Sequence, residues 1–351
     1  MKNAPQEMIP PAEKGPASKG FLHSMESPCK TCSESPCCQY LPLRSFEVRN
    51  LMELDHARYL LNFDFIELGI GSKGKWHVYY RYPCRYLDLD TKNCTVHNQP
   101  EQPAVCKNYN PYQCWYKRAL PQNMSDEFIR LDRVRLDHIS KLLQFDERGT
   151  IVAIPEWDVL QAEVGKLPIA MPPEIPARTD NPMFEQWRSV IKGEIDPPEQ
   201  VSKSFAELQD PCSGCAAHCC KNLIFPQNRP QTISNLDFFI FALGFPGVEL
   251  GITDGEWSLL VKTHCRHLKD NRCSIFGQDE RPLVCRYYDA LKCDYKAQFG
   301  LPKTKGFLKV QLDTYRQQIL PQISFDEFGN VVVMASVEEF QQVIEESFLQ
   351  A

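Results

Sequence analysis

The chain has 351 residues, 43% of them hydrophobic, which is enough to bury the cores of two domains. Its formal net charge is −6, whereas nucleic-acid binders usually present a basic face to the phosphates, so we expect no nucleic-acid partner. No run of 18 apolar residues is present, and residues 1–20 lack the apolar core of a signal peptide, so we expect a cytoplasmic protein with no membrane-spanning helix.

The chain divides into a tail, a cysteine-rich segment, a proline-rich segment and a second cysteine-rich segment. We expect residues 1–25 to be disordered, 26–160 and 209–351 to be homologous domains, and the proline-rich 161–208 to be a semi-rigid linker. The predicted fold is therefore α+β, with two tandem homologous cysteine-rich metal-binding domains and much irregular structure.

Hydrophobic periodicity predicts the same order of elements in each domain. The first domain is expected to contain a helix at 45–63, a strand at 75–82, a helix at 126–143, a turn at Gly149 and a strand at 150–154. The second is expected to contain a helix at 234–245, a strand at 256–262, a helix at 306–319, a turn at Gly329, a strand at 330–335 and a last helix from Ser336, where Glu339 completes a capping box.

The sixteen cysteines form two sets of eight in the same order. Cys29 and Cys212 are 183 residues apart, and Cys114 and Cys293 are 179 residues apart, so the spacing is almost constant and indicates an internal repeat. Trp76 and Trp257 keep the same register. The first set is Cys29, Cys32, Cys37, Cys38, Cys84, Cys94, Cys106 and Cys114, and the second set is Cys212, Cys215, Cys219, Cys220, Cys265, Cys273, Cys285 and Cys293.

Cytosolic thiols stay reduced, so metal or redox chemistry explains this many cysteines better than a disulfide scaffold does. Eight sulfurs in each domain allow two four-thiolate sites, which would hold iron-sulfur clusters or zinc. Successive side chains usually diverge, so the pair Cys37-Cys38 is expected to serve two neighbouring sites or to leave one thiol unused. No histidine beside a cysteine occurs in both copies, which predicts all-thiolate ligation.

Basic residues adjoin the cysteines more often than acidic residues do. A nearby cation lowers the pKa of a thiol and offsets the charge of a thiolate centre. Asp294 is the only acid that adjoins a cysteine. The basic neighbours are Lys30, Arg85, Lys107, Lys221, Arg266, Arg272, Arg286 and Lys292.

Several repeated residues outside the cysteine sets have two interpretations each. Asp55 with Asp237, and Asp132 with Asp313, are candidate oxygen ligands or catalytic acids, although a carboxylate on a helix is most often solvated or paired. The tryptophans begin an apolar strand and are expected in the core. Prolines three residues before a cysteine are expected to fix the loop that presents it, and these are Pro103 and Pro282.

The glycines in ELGIGSKG spell a nucleotide-binding pattern, G-x-G-x-x-G. Such a motif needs a helix behind it to receive the phosphate, whereas a strand is predicted here. The second copy, ELGITDG, lacks the second glycine. We therefore interpret Gly69, Gly71 and Gly74 as turn residues.

In the cysteine pattern the chain resembles the YkgJ-like cysteine-cluster family, described as a zinc- or iron-chelating domain and named for a CxxCxxCC motif. The resemblance covers both copies and is carried in the second by CSGCAAHCC, CRHLKDNRCSIF and ERPLVCRYY. The first copy departs from the pattern at His97 and Gln102, and both copies have a longer gap before the vicinal pair. The resemblance implies that the cysteines chelate metal, and some relatives are assigned as flagellin lysine methylases.

We predict a metal-binding protein, with iron-sulfur clusters favoured over zinc because ligation is all-thiolate and the neighbours are basic. One alternative is a metal-dependent enzyme, either a redox protein or a protein lysine methylase. Another alternative is a disulfide-linked or thiol-redox module. No catalytic residue and no protein partner can be assigned from the sequence.

Overall fold

The computed structural model describes residues 35–110, 114, 116, 128–168, 216–288, 293, 295 and 307–350. We call residues 35–168 the first half and residues 216–350 the second half. The predicted tail and most of the predicted linker lie outside the described residues. So do the first two cysteines of each set, which are Cys29, Cys32, Cys212 and Cys215.

The described residues form helices and antiparallel sheets, and the α+β class is confirmed. The strands of the first half are β1 (Tyr40–Phe46), β2 (Ile66–Gly71), β3 (Trp76–Arg81), β4 (Phe128–Leu131), β5 (Gln144–Phe145) and β6 (Ile151–Ala153). Its helices are α1 (Leu51–Leu60), α2 (Ala104–Lys107), α3 (Arg133–Ser140) and α4 (Trp157–Gly165), with a 3-10 turn at Pro36–Cys38.

The second half has a matching series of elements. Its strands are β7 (Asn222–Gln227), β8 (Val248–Ile252), β9 (Trp257–Lys262), β10 (Leu268–Lys269), β11 (Arg272–Cys273), β12 (Leu308–Val310), β13 (Ile323–Phe325) and β14 (Val331–Met334). Its helices are α5 (Ile233–Leu243), α6 (Leu283–Arg286), α7 (Leu312–Thr314) and α8 (Val337–Gln350), with 3-10 turns at His218–Cys220 and Leu320–Gln322 and a π-helical turn at Tyr315–Ile319.

Each half is built on a four-stranded antiparallel sheet with one strand order. The order is β1-β3-β2-β4 in the first half and β7-β9-β8-β12 in the second. The register also agrees, because Ile70 pairs with Trp76 and Ile252 pairs with Trp257. Both tryptophans are buried, at 6% and 1% exposed, which confirms their predicted place in the core.

Helices α1 and α5 begin at side-chain caps. At those ends α1 is joined to the β5–β6 hairpin and α5 to the β13–β14 hairpin. Asn50 accepts a hydrogen bond from the N–H of Glu53, and Thr232 forms a capping box with Asn235. The carbonyls of Gly149 and Gly329 accept from the first N–H of the two helices. Both glycines have φ near +80°, a conformation that other residues rarely adopt.

Three predicted helices were placed over strand sequence, and this part of the prediction is wrong. The helix predicted at 45–63 begins at Leu51, because β1 continues to Phe46 and pairs with β3. The helices predicted at 126–143 and 306–319 begin with β4 and β12, which add a strand to the sheet edge. Such short edge strands show no helical or alternating pattern of their own, since pairing with β2 or β8 decides their conformation.

Other predicted elements are confirmed. Strands β3 and β9 lie within the predicted 75–82 and 256–262. At the start of α8, Ser336 and Glu339 cap each other reciprocally, as the capping box requires. Helix α4 continues past residue 160, where the first domain was expected to end, because its Leu160 and Val164 are buried.

The glycines of ELGIGSKG are divided between a strand and a turn. Gly74 has φ +75° and lies in the turn, as predicted, whereas Gly69 and Gly71 belong to β2, so their assignment to a turn is wrong. Side chains at Gly69 and Gly251 would meet the aromatic rings of Phe128 and Phe307, which lie across the sheet. These glycines therefore make room for an aromatic ring.

Gly69→Ala is expected to lower the free energy of unfolding by roughly 1–3 kcal/mol, because the new methyl group overlaps the buried Phe128 ring. Gly251→Ala is expected to lower the free energy of unfolding by less. Its Cβ would lie 2.8 Å from Phe307 Cζ, whereas the Cβ at residue 69 would lie 1.9 Å from Phe128 Cζ. Gly255→Ala is the control, because nothing lies within 4 Å of its Cβ position. Urea unfolding of the three variants tests this order, and a loss at Gly255 equal to that at Gly69 would contradict it.

Apolar side chains of both halves belong to one continuous core. The halves are also joined by hydrogen bonds. Tyr80 Oη donates to the Pro246 carbonyl at 2.8 Å, and Thr263 Oγ1 donates to the Asp64 carbonyl at 2.5 Å. The two halves are thus packed together, with contacts made at the ends of the strands. No helix in the described ranges is both long enough and apolar enough to cross a membrane.

Candidate metal centres

The vicinal cysteines lie at the start of each sheet. Cys37-Cys38 and Cys219-Cys220 end a 3-10 turn that leads directly into β1 or β7. In both halves the two neighbouring sulfurs are 4.0 Å apart. The expected divergence of the two side chains is therefore wrong. That expectation applies to extended backbone, and successive residues of a 3-10 turn are rotated by about 120° instead of 180°.

The third described cysteine is held beside the vicinal pair by the backbone. The N–H of Cys84 donates to the Cys38 carbonyl at 2.7 Å, and the N–H of Cys265 donates to the Cys220 carbonyl at 2.8 Å. Each of these cysteines follows the central strand β3 or β9, which is paired with the strand that follows the vicinal cysteines. The sheet pairing therefore brings together cysteines that are 46 and 45 residues apart in sequence.

The fourth and fifth described cysteines are placed by a β-bridge and by a short helix. Cys94 is bridged to Leu87, and Cys273 pairs with Leu268 in the same position of the second half. Cys106 in α2 and Cys285 in α6 donate their N–H groups to the carbonyls of prolines at the helix start. Those prolines are Pro103, at 3.0 Å, and Pro282, at 2.9 Å, which stand at the N-cap positions of the two helices.

The last cysteine of each set has a tyrosine hydroxyl beside its sulfur. Tyr109 Oη donates to Cys114 Sγ at 3.7 Å, and Tyr288 Oη donates to Cys293 Sγ at 3.5 Å. Sequence reasoning assigned no role to these tyrosines. Their signal was present, because both stand five residues before the last cysteine.

The sulfurs of the first half influence one another's ionisation. Burial raises the pKa of Cys106, and the charges of Cys37, Cys84 and Cys94 raise it further. The hydrogen bond with Cys37 raises the pKa of Cys38, followed by burial and by the charges of neighbouring cysteines. Several of these thiols cannot ionise together without a compensating cation.

The second half shows the same behaviour. Burial raises the pKa of Cys285 to about 12, although Arg281 opposes the shift. Hydrogen bonds with Cys219 and Cys265 raise the pKa of Cys220, and the bond from Cys220 lowers the pKa of Cys265 to about 7. The hydrogen bond between these two sulfurs thus favours the proton on Cys220 over Cys265. The charges that act on Cys285 include those of Cys219, Cys265 and Cys273.

Three of the four repeated aspartates accept hydrogen bonds from backbone N–H groups. Asp132 is the N-cap of α3 and accepts from the N–H of Arg135 at 2.8 Å. Its structural counterpart is Gln311, the N-cap of α7, so the pairing of Asp132 with Asp313 is wrong. Asp55 and Asp237 accept from the first N–H groups of α6 and α2, the short cysteine-bearing helices of the opposite half.

The basic neighbours Arg85 and Arg266 also contact the opposite half. Their N–H groups donate at 2.8 Å to the carbonyls of Gly244 and Asn62, which follow helices α5 and α1. The Arg85 guanidinium donates to the Leu243 carbonyl at 3.3 Å. These arginines therefore join the halves beside the cysteines, a role that composition alone did not reveal.

The donor set fits a thiolate-ligated metal in chemistry and in the spacing of the vicinal pair. Two thiolates on one tetrahedral zinc ion are about 3.8 Å apart, close to the 4.0 Å of both pairs. Within the described ranges, however, no three His, Cys, Asp or Glu side chains are arranged to hold a metal ion. The C-x2-C pair of each set lies outside those ranges.

We compared the chain with family models, curated proteins and solved structures. No family model matches it, and no curated protein or solved structure gives a significant match. The resemblance to the YkgJ-like family stays a prediction based on the cysteine pattern.

Proposed function

We propose that the chain is a cytoplasmic metal-binding protein of the YkgJ-like type, with an iron-sulfur cluster held by the cysteines of each half. The observation that carries the proposal is the pair of neighbouring sulfurs 4.0 Å apart, found in both halves with a third cysteine fixed beside it by a backbone hydrogen bond. The shared strand order supports the further proposal that the halves are two homologous copies of one domain.

All sixteen cysteines are candidate ligands, and the described ones differ in their support. Those whose sulfurs are adjacent or whose charges act on one another have the stronger support. In the first half these are Cys37, Cys38, Cys84, Cys94 and Cys106, and in the second half Cys219, Cys220, Cys265, Cys273 and Cys285.

The protein's own residues prepare the centre in three ways. Burial and the charges of neighbouring cysteines raise the pKa of the Cys106 thiol, so binding of a metal there must release a proton. The backbone bonds of Cys84 and Cys265 hold the third sulfur in place. The hydroxyls of Tyr109 and Tyr288 donate to sulfur, which is one of the means by which proteins tune cluster potentials. An iron-sulfur cluster would supply one-electron transfer, and zinc would supply only structural stabilisation.

Anaerobic purification with analysis of iron, acid-labile sulfide and zinc tests the proposal. We expect a brown protein that contains iron and acid-labile sulfide and absorbs visible light, as an iron-sulfur protein does. A colourless protein with stoichiometric zinc would replace the cluster by a structural zinc site. A folded protein without metal and without free thiols would contradict both and would support the disulfide alternative.

A further inference from the structure

Each short cysteine-bearing helix is capped by a carboxylate from the other half. Asp237 of α5 accepts the N–H of Ala104 at 2.8 Å and that of Val105 at 2.6 Å, immediately before Cys106. Asp55 of α1 accepts the N–H of Leu283 at 2.6 Å, two residues before Cys285. The same contact therefore occurs twice, once in each direction.

The packing around these caps is reciprocal as well. Helix α5 contacts α2, and helix α1 contacts α6. At the end of α5, the position that a Gly244 Cβ would occupy lies 3.4 Å from Cys84 Sγ, so Cys84 of the first half faces the end of this second-half helix. The chain thus places part of each cysteine cluster against the other half.

We infer that Asp237 is a positioning residue for the first-half cysteines and Asp55 for the second-half cysteines, so that each centre is completed by the opposite half. For the metal this rests on the proposed function, whereas the positioning of the cysteines does not. A helix of four residues has too few internal hydrogen bonds to persist alone, and its first N–H groups need acceptors. The carboxylates provide these acceptors and fix the cysteine that follows.

The two caps differ in strength. Asp237 uses both oxygens on two N–H groups, whereas Asp55 uses one oxygen on one N–H group. Asparagine has one acceptor oxygen, so it can replace Asp55 but only half of the Asp237 cap. The effect of Asp237→Asn is therefore expected to be intermediate, and that of Asp55→Asn close to none.

The test is alkylation of the full-length protein, with each modified cysteine quantified by mass spectrometry. After metal removal by a chelator, Asp237→Ala should make Cys106 react roughly tenfold faster and leave Cys285 unchanged. Asp55→Ala should do the reverse. Asp132→Ala is the matched control, because it removes a helix cap within one half. It should not change the alkylation rate of Cys106 relative to that of Cys285.

The same variants are then analysed for metal as purified. In the protein as purified, Asp237→Ala should reduce the protection that bound metal gives the first-half cysteines against alkylation. Asp55→Ala should reduce the same protection of the second-half cysteines. If Asp237→Ala exposes cysteines of its own half, or behaves like Asp132→Ala, the inference is overturned. If the wild-type protein holds no metal yet the crossed alkylation pattern persists, the proposed function fails and the positioning role stands.

Discussion

Cys220→Ser is expected to empty the second-half centre and to lower the thermal stability of the protein strongly. Metal binding and folding are coupled by roughly 10 kcal/mol in small thiolate sites, so loss of a central ligand removes a large part of that energy. Cys220 is central because its sulfur lies 4.0 Å from that of Cys219, and its carbonyl holds the N–H of Cys265. Serine is nearly the same size and leaves the backbone bond intact, so the change acts on the sulfur.

The mirror variant Cys38→Ser is the matched control, because it should empty the first half and leave the second half protected. Metal analysis, differential alkylation and thermal melts of both variants measure the effect. We expect metal content to fall to about half in each variant, since one of two equivalent sets is lost. Full metal content with an unchanged melt in both would show that the vicinal cysteines are not ligands.

Glu249→Ala is expected to lower the free energy of unfolding by roughly 3–5 kcal/mol, because it removes the carboxylate that pairs with the buried Lys262 cation. Glu249 and Lys262 form an ion pair at 2.6 Å, and their side chains are only 8% and 14% exposed. Gln311 donates to the same oxygen at 3.0 Å. Desolvation lowers the pKa of the neighbouring Lys309, and the Glu249 charge opposes that shift. Removing Glu249 therefore takes away an anion that opposes the lowering of the Lys309 pKa.

Two further variants test whether the loss of stability in Glu249→Ala comes from breaking the buried ion pair. Glu256→Ala removes an exposed carboxylate from the turn that precedes β9 and should change stability by less than about 0.5 kcal/mol. The double variant Glu249→Leu with Lys262→Met should recover much of the loss, because apolar residues of similar volume replace buried ion pairs well. Urea unfolding measures the stability of all these variants. Equal losses of unfolding free energy for Glu249→Ala and Glu256→Ala would show that the buried ion pair contributes no more to stability than an exposed carboxylate does.

The same site in the first half uses other residues. Glu67 pairs with Arg130 at 2.6 Å and with Arg81 at 3.2 Å, at the sheet positions that Glu249, Lys309 and Lys262 occupy in the second half. The glutamate is thus retained while its cations differ. Sequence reasoning matched the ELGI segments but did not anticipate that their glutamate is the centre of a buried charge network.

The parts of the fold that were predicted correctly depend on local sequence. Strands β3 and β9 have apolar runs long enough to be recognised, and the capping box at Ser336 is a contact between residues three apart. The missed strands β4 and β12 are three or four residues long. Their conformation follows from pairing with a neighbour that is distant in sequence.

For the candidate site, the sequence by itself determined the number of cysteines and their repetition. Sixteen cysteines in two registers predict soft metal ligands, and the absence of histidines common to both copies predicts that these ligands are thiolates. The structure was needed to show that neighbouring sulfurs lie 4.0 Å apart, because this depends on a local 3-10 turn that the cysteine spacing does not reveal. It also decided the crossed caps, because Asp237 with Ala104 and Asp55 with Leu283 are 133 and 228 residues apart, and such contacts arise only when the halves pack together.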